Sequence, residues 1–175
     1  KISAQAAYRT KVLFDTNQLL QKAQDDSDIL HITASQLVKL LDRDVVVYPE
    51  QNGELAQGYL FPASDQQPEL FTPRETEAAA WVYRNSHRGG AATRMFSDAK
   101  CLYLAIRINS KVYGVVGIHL QGKPLDDFEN SLLLSILGEC ALAIDNSRNA
   151  KEKELAAVLA KNEQLRANLL RAISH

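Results

Sequence analysis

The chain has 175 residues, 46 % apolar and 23 % charged, with a formal net charge of −1. That length allows one domain with a true core plus one extended element, and the charge leaves no basic excess for nucleic acid and no acidic tail. No run of about 18 apolar residues occurs, so no segment reads as a membrane span.

In chain order, Ala6 to Gln24 carries Tyr8, Val12, Leu13, Leu19, Leu20 and Ala23 at helical spacing. Asp25-Asp26-Ser27 offers a stop and a new N-cap, and a second helix follows from Asp28 to Leu41. The β-branched run from Asp44 to Pro49 reads as a strand, Asn52-Gly53 as a turn, and Leu55 to Phe61 as one returning strand. Pro62 to Phe71 is polar and reads as a loop. Thr72-Pro73-Arg74-Glu75 predicts a helix start, with Thr72 as cap, Pro73 in the first turn and Glu75 closing a capping box. That helix runs through Trp81 to about Ser86, with Gly89-Gly90 in the loop beyond it.

Cys101 to Ile108 and Val112 to Leu120 predict a hairpin of two central strands. Asp126 or Asp127 caps a long helix through Ile144. Helix, helix, two strands, helix, two strands, helix is an α+β order: a mostly antiparallel sheet with helices against it. The opening at Lys1 and the single methionine, Met95, are those expected of a piece of a longer protein.

From Leu155 a heptad is legible in Leu155, Val158, Asn162, Leu165, Leu169 and Ala172. In the same phase it runs back through Lys151, Arg148, Ile144, Ala141, Leu137 and Leu134. The polar middle reads either as a solvated surface between two packed regions or as a point where a two-helix coil shifts register. Asn162 fits a parallel dimer in which paired amides fix the register, or simply faces water.

Candidate sites are few. His31, His87 and His119 lack metal-ligand spacing, and no metal site is assigned. Cys101 and Cys140 sit in apolar runs and read as buried thiols. Arg84, Arg88 and Arg94 lie in a glycine-containing stretch that reads as a solvated loop, with an anion site as the sharper alternative. Gly114 and Gly117 inside a strand point to a bulge, a ligand or close helix packing.

Val112 to Ile118, followed by the helix containing Gly138 to Asn146, resembles the closing half of a GAF domain. The likeness covers roughly residues 11–148 and implies a GAF-like sheet with flanking helices. Leu165 to His175 resembles the approach to the phosphoacceptor box of histidine kinases. Together with Asp42 to Pro49, Trp81 to Asn85, Cys101 to Arg107 and Phe128 to Ala143, these stretches resemble KdpD-type potassium-responsive sensor kinases.

The resemblance implies a regulatory domain over residues 1–148, then a signalling helix over 149–175 ending at His175 as phosphoacceptor. It implies a homodimer, a cognate response regulator as partner, and ATP with magnesium bound by a kinase domain outside this chain. The fragment alone is then inactive, and it belongs to the cytoplasmic portion of a membrane protein anchored by segments elsewhere. The set that binds cyclic nucleotides in some GAF domains is not found. Two further readings stay open: a small-molecule-binding GAF module in which His175 is incidental, and a GAF enzyme acting through a cysteine.

Overall fold

The structure is a computed structural model describing residues 3–63 and 66–174. Helices α1 (Ala4–Gln21) and α2 (Asp26–Leu41) precede strands β1 (Val45–Gln51), β2 (Glu54–Leu55) and β3 (Tyr59–Phe61). Helix α3 (Pro73–Asn85) leads to β4 (Gly89–Gly90), β5 (Cys101–Ile108) and β6 (Lys111–His119), and α4 (Asp127–Ser174) closes the chain. The sheet order is β2-β1-β6-β5-β4, with β3 on the β2 edge of β1, and every pair is antiparallel.

Side-chain alternation along the strands builds two cores. Val45, Val47, Leu104, Val116 and Ile118 face the layer of α1, α2 and α4. Val46, Tyr48, Cys101, Tyr103 and Val115 face α3, through Ala78, Ala79 and Val82. The result is helix, sheet, helix. Each large apolar side chain so buried contributes about 1.5–3 kcal/mol. Against α4, α1 is fastened by Arg9 to Ser131 at 2.7 Å and by Asn17 to Glu139 at 3.0 Å.

Several expectations change. The Leu55–Phe61 strand is two short strands, because at Gly58 the backbone lies against the Tyr48 ring: an added Cβ would sit 2.6 Å from it. Gly89-Gly90 forms an edge strand on β5 rather than a loop. The polar stretch before α3 contains a 3-10 turn at Pro68–Leu70, fixed by buried Leu70. Thr72 does cap α3, but the Glu75 carboxylate turns inward instead of back to the cap. The reciprocal capping box occurs at α4: Asp126 accepts from the Glu129 N–H at 2.7 Å, and Glu129 accepts from the Asp126 N–H at 3.0 Å. The Asn52-Gly53 turn forms as read, with both residues at positive φ.

Candidate functional site

A cavity of about 820 Å³ lies between β1, the β2–β3 connection and α3. Its walls include Tyr48, Leu55, Tyr59, Leu60, Phe71, Thr76 and Ala80, and among the described residues no charged side chain lines it. Gln67 is committed to Asp44 at 2.7 Å, and Thr76 donates to the Pro73 carbonyl at 3.0 Å. Volume and lining fit a small organic ligand with ring character. Among the described residues the lining supplies neither a nucleophile with a base nor a set of metal ligands.

Behind this cavity lies a buried polar knot. Glu75 is 3 % exposed and accepts from the Lys100 N–H at 2.9 Å, the Cys101 N–H at 3.2 Å and the Tyr103 hydroxyl at 2.8 Å. One carboxylate thus ties the first turn of α3 to the start of β5. Burial, then the neighbouring Cys101 and Glu75, pushes the Tyr103 hydroxyl far above its ordinary value, so it stays a donor. Gly117 makes room for its ring, since a Cβ there would lie 2.6 Å from it. Gly114 lets β1 approach, a Cβ there meeting the Tyr48 carbonyl at 2.8 Å. Both glycines therefore serve packing, and Gly114 also adjoins the expected bulge: between the pairs Ile106–Gly114 and Arg107–Val112 the strand β6 carries one extra residue, Tyr113, while Gly117 pairs regularly with Tyr103.

A second polar cluster marks the place where α4 leaves the domain. Arg148 pairs with Asp26 and with Glu50, each at 3.0 Å, and its guanidinium lies 5.1 Å from the centre of the Tyr113 ring. One turn earlier, the Tyr113 hydroxyl donates to Asp145 at 2.6 Å. Burial works against the charge of Arg148, but its hydrogen bonds to Asp26 and Glu50 outweigh it and hold the pKa above the ordinary value. So the first polar position of the helical seam is tied inward, not solvated. Every residue from Asn149 to Ser174 is exposed.

The other candidates are dispersed. Arg84 and Arg94 are exposed, and Arg88 donates to Asn130 at 3.3 Å. None of the three lines the cavity. His31 packs against Tyr59 and Phe61, His87 is exposed, and His119 is half-buried on β6. Cys101 and Cys140 are both buried, and burial pushes each thiol up to about 12, which removes the thiolate a nucleophile needs. Among the described residues no group of three or more His, Cys, Asp or Glu is placed to hold a metal, and no helix is long and apolar enough to cross a membrane. His175 lies outside the described residues. Sequence reading missed both polar knots; the one available signal was an arginine on the apolar phase of a helix.

An antiparallel sheet with α1, α2 and the first part of α4 on one face, and α3 and a cavity on the other, is found in known proteins. The GAF domain of the potassium sensor histidine kinase KdpD from Escherichia coli superposes with a TM-score of 0.63 at 20 % identity, over 86 % of this chain and 99 % of that one. This is the GAF fold. A second GAF domain, from an Acinetobacter phosphoenolpyruvate-protein phosphotransferase, superposes at 0.59 with 12 % identity, over 85 % of this chain and 97 % of that one. In sequence, the GAF chain is 30 % identical over 170 residues to the sensor protein KdpD of Clostridium acetobutylicum. That match takes in 95 % of this chain and 19 % of the relative's length. No family model matches. The resemblance to KdpD-type proteins read from the residues is thus borne out over nearly the whole chain.

Proposed function

We propose that this chain is the regulatory GAF segment of a KdpD-like sensor histidine kinase, relaying a signal along α4 to the ATP-dependent phosphorylation of His175. The observation that carries the reading is the continuity of α4, 48 residues without a break from the core to Ser174. Its inward face buries Leu137, Ala141 and Ile144, then runs on as Leu155, Val158, Leu165 and Leu169, all at least half exposed. An apolar stripe on a lone helix calls for a partner. A second copy supplies one in parallel register, with Asn162 facing its counterpart. Residues 149–175 then form the signalling helix of a homodimer.

In this reading a neutral imidazole nitrogen of His175 attacks the γ-phosphorus of ATP. A nitrogen–phosphorus bond forms, ADP leaves, and the phosphoryl group passes to an aspartate of the response regulator. ATP and magnesium are held by a kinase domain outside this chain. The potassium or osmotic stimulus, and the membrane anchor that makes this a cytoplasmic portion, enter through the likeness to KdpD alone.

One residue inserted near Lys151 rotates everything downstream by about 100°. In the full-length kinase this is expected to abolish or invert the stimulus response of autophosphorylation, and an unchanged response refutes the relay. A second reading, a small-molecule-binding module with His175 incidental, is favoured by the cavity. It predicts that His175→Gln leaves phosphoryl incorporation into the parent unchanged, whereas the first reading predicts its loss.

A further inference from the structure

We propose that the Arg148 cluster is a latch through which the β1–β2 hairpin sets the point where α4 departs from the domain. This deepens the relay reading, but its test concerns the 175-residue chain itself and stands apart from the kinase assignment.

The connections are covalent or hydrogen-bonded at every step. One oxygen of Glu50 accepts from Arg148 at 3.0 Å; the other accepts from the Gly53 N–H at 2.9 Å, inside the tight turn. The Ala56 N–H donates to the Pro49 carbonyl at 2.7 Å, and the backbone then continues along the cavity wall to Tyr59. Tyr59 borders both that cavity and a crevice of about 200 Å³ that reaches Glu50, Tyr113 and Arg148. A displacement of the wall thus has a bonded route to Glu50 through the turn, and Tyr59 borders the crevice that Glu50 also lines.

On the other side, Asp26 stands in the first turn of α2, and Arg148 is its side-chain partner; its remaining oxygen is buried without a hydrogen bond among the described residues. The guanidinium is held by two carboxylates from different elements and by the Tyr113 ring, a set that ordinary surface pairs lack. Among the described residues Arg148 is also the last inward attachment of α4, residues 149–174 all being exposed. If it lets go, the next ones are Asp145 on Tyr113 and buried Ile144, about one turn back, or about 4.5–6 Å along the axis. The two arrangements are discrete, which is what a switch in packing requires.

Coupling of this kind is reciprocal, and that gives the test. Amide hydrogen exchange is followed in the 175-residue chain for wild type, Arg148→Met and Glu50→Gln. Arg148→Met is expected to speed exchange tenfold or more at Ser147 to Lys151 and also at Gly53 and Ala56, with the β5 amides unchanged. Glu50→Gln is expected to do the same in both regions. Acceleration confined to α4, with the hairpin amides at wild-type rates, overturns the proposal, as does no change in either region. Should Arg148→Met accelerate β5 as well, Arg148→Lys decides. At least threefold acceleration in both regions over an intact β5 supports the latch, and wild-type rates overturn it.

Discussion

Replacing Glu75 with alanine is expected to cost about 2.5–7.5 kcal/mol, and the figure follows from what the carboxylate holds. The Cys101 N–H and the Tyr103 hydroxyl are buried, with Glu75 as acceptor. Each orphaned buried donor costs about 1–3 kcal/mol. The Lys100 N–H lies where the exposed Lys100 side chain meets solvent, so water can replace the lost oxygen for about 0.5–1.5 kcal/mol. Against a typical total of about 5–15 kcal/mol this is a large fraction. Urea unfolding measures it as a drop in midpoint at constant slope. Two companions sharpen the result. Tyr103→Phe removes one donor and leaves the two backbone bonds, for about 1 kcal/mol; Glu75→Gln keeps one oxygen but turns an amide N–H₂ toward donors, for an intermediate loss. A Glu75→Ala protein within about 1 kcal/mol of wild type would refute the reasoning. So would a Tyr103→Phe protein as unstable as Glu75→Ala, because packing rather than hydrogen bonding would then hold the knot.

Gly117→Ala places a Cβ 2.6 Å from the Tyr103 ring and is expected to destabilise by about 1–3 kcal/mol, whereas Gly138→Ala, with nothing within 4 Å of its Cβ, should stabilise by about 0.5–1 kcal/mol. Thermal melts of the pair check both signs. Cys101 and Cys140 are expected to resist an aromatic disulfide reagent at pH 8 in the folded chain and to react once it is unfolded. Because both thiols are raised from 9.0 to about 12, the unfolded chain gives up their protons first. Their contribution is thus full below pH 9 and is lost as pH rises toward 12, with a limiting slope of about 1.4 kcal/mol per pH unit for each thiol, readable in urea midpoints across that range. Leu165→Ser with Leu169→Ser should leave the melting of the domain body unchanged, since both residues project from its exposed extension, while sedimentation equilibrium shows self-association weakened at least tenfold.

Much of the fold was legible where burial is two-sided. The run from Cys101 to Ile108 is apolar on both faces and forms β5 over those same residues, because the cores above and below the sheet each need half of them. Gly89-Gly90 carries no strand signal, and its pairing is imposed by the free edge of β5. At Thr72 and Asp126 the sequence presents the same spacing of cap and glutamate. Tertiary donors draw Glu75 inward, while Glu129, with solvent around it, returns to its own helix. The heptad phase placed Arg148 on the inward face of α4 and left open whether that position is wet. Its partners, Asp26 and Glu50, lie 122 and 98 residues away in sequence, where no local pattern reaches. In the same phase Leu134 was expected inside, yet it is 53 % exposed, because a straight helix drifts from a seven-residue repeat.

The unbroken α4 also has a mechanical meaning. From Arg148 to Ser174 it extends about 39 Å, so a tilt of only 5° at the point of departure carries the far end through about 3.4 Å. The domain body is thus the short arm of a lever and the exposed helix the long one. Sub-ångström rearrangements among Glu50, Asp26 and Tyr113 emerge magnified at the far end, as long as a second helix keeps the long arm stiff.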